Sequence, residues 1–399
     1  MDARVRELVK ATIPVLKEHG VALTTYFYQR LFRHNPELKN IFNQSHNETG
    51  KQPVALAMAV LAYAENIDDP SVLAPVITLI ANKHASVGIR AEHYPIVGKH
   101  LLASIREVLG DAASDELVDA WGVAYGALAD VFIEAESKLY NQACNSDGGW
   151  SGWRSFRIID KVRESEEIRS FHLVPCDGGP LPGYRAGQYT TARVFVPELG
   201  VMQLRQYTLS IAPGAMHFRI SVKREPASVT TPAGRVSNRL HDFYQVGDML
   251  ELAPPFGEFF LDETHDGPVV LISGGVGITP MMAMLDRLVA SAPSRPVQFV
   301  HACRNAGVFA FGAHLAKVAE RNAQVKMHLF HDEGPVAAPV QSGRVDLRAL
   351  AGEVLAPGAD YYLCGPVGFL EAQIATLHEL GVESARIHAE VFDTGGIAT

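Results

Sequence analysis

The chain has 399 residues, enough at about 150 per domain for two to three domains, which excludes a single small binding module. Hydrophobic residues make up 47% and charged residues 20%, a globular composition that excludes disorder over most of the length. Against 44 Asp and Glu there are 35 Lys and Arg, a net charge of −9, so no basic field gathers nucleic acid or anionic lipid, and small molecules are the expected partners. Cys144, Cys176, Cys303 and Cys364 stand apart, without CxxC or zinc spacing, as reduced thiols do. Val54 to Ala64, the most continuous apolar stretch, is too short to span a bilayer, and residues 1–10 carry charges where a signal peptide needs an apolar core. A cytoplasmic protein without membrane insertion and without an obligatory protein partner is expected.

Residues 1 to about 143 carry apolar side chains at three- and four-residue intervals, which predicts an all-α domain over 1–146. Breaks are expected at Gly20, Asn35-Pro36, Asp69-Pro70 and Gly110-Asp111, with Ser114 capping the last helix. The polar, glycine-rich run Asn145 to Gly149 marks a boundary. Beyond Trp153 short alternating runs, among them FRIIDKV, IRSFHLV, LRQYTLSI and MHFRISVKR, predict an antiparallel β-barrel over 151–263. From 267 to 399 buried-type strands such as PVVLISGG and DYYLCGP alternate with helical patterns, predicting an α/β domain on a parallel sheet.

The apolar run Val269 to Ser273 leads directly into Gly274-Gly275-Val276-Gly277-Ile278-Thr279-Pro280 and then a helix. Strand, glycine turn and helix N-terminus form a phosphate cradle, because backbone N–H groups and the helix dipole face the anion. A purely structural tight turn is the competing reading. Cys364-Gly365-Pro366 also sits where a predicted strand ends, the edge at which such sheets bind ligands. In the barrel, Arg205-Gln206-Tyr207-Thr208 is followed by Gly234-Arg235-Val236-Ser237-Asn238. A guanidinium holds a pyrophosphate with two hydrogen bonds, a phenol lies flat on a flavin, and a hydroxyl reaches its reactive nitrogen.

In this order and at these intervals the motifs resemble the ferredoxin-reductase-like family, an FAD-binding barrel followed by a nicotinamide-binding domain. The resemblance implies that Arg205, Ser237 and the adjoining Gln206 and Val236 bind FAD, with Tyr207 on the flavin ring, Thr208 at its N5 edge, and Gln188 and Tyr189 nearby. Gly274, Gly275, Val276, Gly277, Ile278 and Thr279 would hold the NAD(P)H phosphates, with Cys364, Gly365 and Pro366 beside the nicotinamide. Phe392 would cover the flavin face until nicotinamide displaces it. Arg304 is a candidate for a 2′-phosphate, so the choice between NADH and NADPH stays open.

In the helical half, His84 follows the strongly apolar LAPVITLIANKH, and Asn35 to Phe42, with Tyr28 and Gln52, resembles the bacterial globin pattern. That resemblance implies one haem b, with His84 as proximal iron ligand, Phe42 packed on the porphyrin, Tyr28 and Gln52 on the distal side and Leu56 narrowing it. Tyr94 and Glu134 would stand behind the proximal ring, and Lys83 and Glu390 at the boundary between haem and flavin. Globin, flavin barrel and nicotinamide domain in one chain are similar to the flavohaemoglobins. The implied reaction is nitric oxide dioxygenation: nitric oxide and O₂ become nitrate, with electrons passing from NAD(P)H through FAD to haem. Two alternatives stand beside it. One is a haem-dependent reductase of alkyl or lipid hydroperoxides, with a lipid in the distal pocket; the other is an oxygen-binding or sensing protein. Thr208 where serine is commoner, Ala186 before Gly187, Ala389 before Glu390 and the tail Asp393 to Thr399 depart from the family pattern.

Overall fold

Helix α1 (Ala3–Ala11) starts where the Asp2 side chain accepts from the Val5 N–H and stops at Thr12, whose hydroxyl turns back to the Val9 carbonyl. Helix α2 (Ile13–His34) follows at once, with proline in its first turn, where a missing N–H costs nothing. The break expected at Gly20 does not occur. In this computed structural model α2 runs through Gly20, which faces Ala57 of α4 (Lys51–Glu65); the small residues serve the packing of the two helices, and the chain breaks at Thr12 instead. Between these two helices lie a short 3₁₀ turn over Pro36–Asn40 and α3 (Gln44–Glu48).

Helix α5 (Ala74–Val87) is ended by Gly88, whose φ of 82° lies in the left-handed region that glycine enters without strain. Then come α6 (His93–Leu109) and α7 (Asp115–Asn145), the latter capped as expected by Ser114, whose Oγ accepts from the Leu117 N–H at 3.2 Å. Phe27, Leu31, Leu101, Ile105 and Trp121 form the buried centre of this helical part.

Strands β1 (Arg154–Arg163), β2 (Ile168–Pro175), β3 (Tyr189–Val196), β4 (Val201–Thr208), β5 (Phe218–Lys223) and, after α8 (Arg235–Phe243), β6 (Met249–Leu252) form one six-stranded sheet in the order β4-β3-β6-β1-β2-β5. The pairs β1–β2, β1–β6 and β2–β5 are antiparallel. Just past β4, Leu209 bridges Ile220 of β5, so the first and last strands of this order approach each other and the sheet curls as the barrel reading requires.

A second six-stranded sheet, in the order β10-β9-β8-β7-β11-β12, is parallel throughout. Its elements are β7 (Val269–Gly274), α9 (Ile278–Ser291), β8 (Val297–Cys303), α10 (Gly312–Arg321), β9 (Val325–His331), β10 (Val340–Ser342), α11 (Ala351–Val354), β11 (Asp360–Cys364), α12 (Val367–Glu379) and β12 (Ile387–Glu390). The fold class is therefore the expected one: all-α globin-like, antiparallel β, then α/β with a parallel sheet. By its contacts the chain divides into two compact units, 1–153 with 191–205 and 154–190 with 206–399. Residues 1–228 and 232–392 are described; the departing tail Asp393 to Thr399 lies outside them. All four cysteines are unpaired, and among the described residues no helix is long and apolar enough to cross a membrane.

Several buried histidines share one electrostatic consequence. Burial holds His301 down to about 3, with the Ser273 hydroxyl against its Nδ1 at 2.9 Å. Burial also holds His172 down to about 4, and its Nδ1 lies 2.8 Å from His217 Nε2. A histidine whose folded pKa lies below its unfolded value of about 6.5 binds fewer protons in the native state, so its share of stability is complete above that pH and is lost on acidification. The thermal midpoint is expected to fall from pH 7.5 to pH 5, and His301→Gln should flatten that slope; differential scanning fluorimetry across the range checks both.

Candidate functional site

The helical part places one imidazole in a defined tautomer. His84, near the end of α5, has its Nδ1 2.8 Å from Glu136 Oε1 and 3.2 Å from the Tyr94 hydroxyl. Tyr94, at the start of α6, itself donates to Glu136 Oε1 at 2.6 Å. An ionised carboxylate only accepts, so His84 must carry its proton on Nδ1, which leaves the Nε2 lone pair for a metal. The arrangement is locked further out: Tyr125 donates to the Tyr94 carbonyl at 2.7 Å, and the Phe132 ring lies 5.6 Å from the His84 ring.

The carboxylate is not the expected one. Glu134 points to solvent, 71% exposed and paired with Lys138 at 2.7 Å. Glu136 is 2% exposed and makes the contact. Two residues along a helix are turned by about 200°, so Glu134 and Glu136 occupy opposite faces of α7, and only Glu136 follows Ala129 and Phe132 on the inward face. The spacing from Phe132 to Glu136, one helical turn, was the signal in the sequence that identifies it.

On α2, Tyr28 is 5% exposed. Burial raises its hydroxyl pKa, while a hydrogen bond from Gln52 opposes that shift. The phenol therefore stays protonated as a donor. Gln52 and Leu56 lie one turn apart on α4, on the same face. Gln52 Oε1 is buried and has no protein partner, an unmet acceptor of the kind a ligand or a water satisfies. The Phe42 ring stands edge-on to Tyr28 at 5.8 Å and to Phe32 at 5.5 Å. Phe42, Leu56 and Leu128 are only partly buried, as are Ile80 and Ile133; partly open apolar side chains and one imidazole with a free Nε2 suit a flat hydrophobic macrocycle. Lys83 precedes His84 on α5.

In the second unit the glycine turn is built as its sequence requires. Gly275 has φ of 55°, and a side chain on Gly277 would stand 2.1 Å from the Cys364 carbonyl oxygen. Helix α9 follows with no side-chain cap: the Ile278 N–H turns back to the Gly275 and Val276 carbonyls, and Thr279 stands beside it in the first turn. Val276 packs against the core, and the Thr279 hydroxyl returns to the Val276 carbonyl at 3.0 Å. Ser273 lies in register with Cys364, so the turn at Gly274 and the turn at Gly365-Pro366 share one edge. A Cβ on Gly365 would meet Gly274 N at 3.2 Å. Burial, then the nearby Glu390, raises the Cys364 thiol well above its usual range; it is a neutral, fully buried group. Arg304 is paired with the Glu167 carboxylate.

In the barrel strands Gln188 Nε2 donates to the Gly257 carbonyl at 3.2 Å and its backbone carbonyl accepts from Leu209, next to Thr208. Tyr189 and Thr208 are buried. Gln206 is exposed and Tyr207 half-buried on β4. Helix α8 begins at Gly234 with no side-chain cap; Val236 is buried and Ser237 stands in the first turn. Glu390 ends β12 in register with Cys364, and Phe392 beyond it is 47% exposed. Helix α8, Arg235–Phe243, was not read from the sequence, where only its first four residues appeared, in the motif Gly234 to Asn238.

Comparison with known proteins agrees with this geometry. Residues 25–132 match the Globin family and residues 271–374 the Oxidoreductase NAD-binding domain. The "Flavohemoprotein" of Chromobacterium violaceum is 56% identical over 397 residues, covering 98% of each chain. The chain belongs to the flavohaemoprotein family. A flavohemoglobin from Malassezia yamatoensis with bound FAD and heme superposes with a TM-score of 0.87 at 26% identity, over 98% of this chain and 99% of that one. The FAD/NAD-binding domain of the nitric oxide dioxygenase of Vibrio cholerae is 38% identical over 60% of this chain and 98% of its own, with a TM-score of 0.55.

For this flavohaemoprotein the two glutamates make opposite predictions. Glu136→Gln should lower the iron–histidine stretching frequency and reduce turnover about 10- to 100-fold, the usual scale for a lost partner of a metal ligand. Glu134→Gln should leave both unchanged. Resonance Raman spectra and steady-state rates of the two variants decide.

Proposed function

We propose that this flavohaemoprotein is a nitric oxide dioxygenase that converts nitric oxide and O₂ to nitrate at the expense of NAD(P)H. The observation that carries the reading is the pairing of an imidazole held by Glu136 and Tyr94 with a protonated, buried phenol at Tyr28. Bound haem b supplies a one-electron iron centre, and bound FAD converts the two-electron donor NAD(P)H into single electrons for it. His84 would be the iron ligand, Phe42 and Leu56 would pack on the macrocycle, and Gln52 holds Tyr28 through its hydrogen bond. Glu136 makes the His84 imidazole more electron-donating by accepting its Nδ1 proton in a hydrogen bond. The buried, protonated Tyr28 hydroxyl would be the hydrogen-bond donor on the side of the haem away from His84, where it would favour a ligand that gains negative charge.

In the reductase part, Arg205 and the first turn of α8 at Val236 and Ser237 take the FAD phosphates, Gln206 lies beside them, and Tyr207 and Thr208 meet the flavin with Gln188 and Tyr189 nearby. The turn from Gly274 to Thr279 takes the dinucleotide phosphates, and Cys364, Gly365 and Pro366 border the nicotinamide. Phe392 covers the flavin, and Lys83 and Glu390 set the geometry for electron transfer. The functional domains are 1–146, 151–263 and 267–399, acting on small molecules in the cytoplasm.

The test is NADH-dependent nitric oxide consumption in aerated buffer by protein carrying both haem and flavin. Rapid, oxygen-requiring decay with nitrate as product is expected; haem reduction with nitric oxide left intact would remove the assignment. Two variants separate the parts. His84→Ala should lose the Soret band while NADH still reduces the flavin. Tyr28→Phe should speed oxygen release and lower nitric oxide turnover about 100-fold, the scale for losing one preorganised donor; stopped-flow kinetics measures both.

A further inference from the structure

Gln203 is a glutamine only 1% exposed, and both ends of its amide are used on main-chain atoms of the haem-side segment. Its Oε1 accepts from the Gln44 N–H at 3.1 Å, and its Nε2 donates to the Lys39 carbonyl at 3.2 Å. The two contacts bracket Phe42. Two more contacts run the same way: the Met202 N–H donates to Asn40 Oδ1 at 2.9 Å, and Arg205 Nη2 donates to Ser45 Oγ at 3.3 Å. The segment 39–45 and the β3–β4 stretch 191–205 accordingly fall in one compact unit.

Alternate residues of a strand share a face. Gln203, Arg205 and Tyr207 are thus on one side of β4, so Gln203 shares a face with Arg205 and Tyr207, two of the residues assigned to FAD, while Gln206 and Thr208 lie on the other. The geometry points to Gln203 as a positioning residue that couples FAD binding on β4 to the haem-pocket segment 39–45. This inference rests on the FAD placement above. A phosphate on Arg205 fixes the guanidinium that also holds Ser45, and a strand ordered at Arg205 presents Gln203 in the one pose that satisfies Lys39 and Gln44 together. The segment so held carries Phe42, whose ring stands against Tyr28. Flavin occupancy is thereby read at the distal side of the haem through directional hydrogen bonds, with no moving part required.

Hydrogen-exchange mass spectrometry on the full-length haem-containing protein, FAD-loaded and FAD-stripped, tests the coupling through peptides covering 39–48 and 202–210. In the wild type, FAD should slow exchange in both peptides. Gln203→Ala should keep the FAD effect at 202–210 and reduce the effect at 39–48 by about tenfold, within the range of local opening equilibria. Gln203→Glu keeps the acceptor for Gln44 and loses the donor for Lys39, so it should fall between, an ordering that simple loss of packing does not produce. Asn40→Ala, which leaves Gln203 in place, should give a smaller loss of the same kind and serves if Gln203→Ala does not fold. A wild-type 39–48 peptide indifferent to FAD while 202–210 responds, or an unchanged FAD effect in the variants, overturns the coupling. No FAD effect at 202–210 removes the flavin placement on β4 and the coupling with it.

Discussion

A carboxylate that is 2% exposed must find its hydrogen bonds inside the protein, and Glu136 finds them in His84 and Tyr94, both aimed at one of its oxygens. Left unpaired, such a group would be costly enough to take up a proton or distort its surroundings. The requirement therefore runs both ways. It fixes the tautomer and rotation of His84, and it fixes where α5, α6 and α7 must lie relative to one another, because one donor comes from each of two helices and the acceptor from the third. The outer contacts at Tyr125 and Phe132 leave little freedom for a different arrangement. What the imidazole offers on its other nitrogen is a consequence of this pairing.

A different constraint governs the nicotinamide half, where space decides the residue type. Gly277 admits no side chain because the Cys364 carbonyl occupies its place, and Gly275 adopts a left-handed backbone with open space before it. One glycine is required by a neighbour behind the turn and the other by the conformation in front. The result is a helix start with no side-chain cap, at the edge where β7 and β11 both end. Cys364 shapes the turn through its main-chain carbonyl; its buried, neutral thiol is a packing group of the core.

How much of this the sequence showed depended on whether a signal was periodic or relational. Five strands of the parallel sheet and the glycine turn were legible, since apolar runs and a glycine cluster state their own geometry, while the three-residue edge strand β10 was too short to show. Ser114 as a cap was legible for the same reason. Gly20 misled because a glycine in a helical run has two meanings, a stop or a close approach, and only Ala57 across the packing distinguishes them. Glu134 misled because two glutamates stand two residues apart, and which one faces inward is set by the phase of a helix 31 residues long. Resemblance located the right stretch of chain; the inward face at Ala129 and Phe132 selected the residue. Helix α8 and the role of Gln203 left no periodic trace, the first because nine residues are too few, the second because a buried glutamine acquires meaning only from the main-chain atoms it meets.

Strand β4 draws these threads together. Its length, Val201–Thr208, is what alternation needs to carry a buried glutamine, a guanidinium and a phenol on one face. Those three groups differ in what they can recognise: an amide matches main-chain donors and acceptors, a guanidinium matches anions, a phenol ring matches a flat π surface. Placing them on one strand means that the fit of Gln203 to the main chain around Phe42 and the presentation of Arg205 and Tyr207 cannot be changed independently. A shift of register by one residue would turn all three to the opposite face at once. The glutamine is thus under two constraints, satisfying Lys39 and Gln44 on one side and preserving the strand's register on the other, and each makes the other harder to relax.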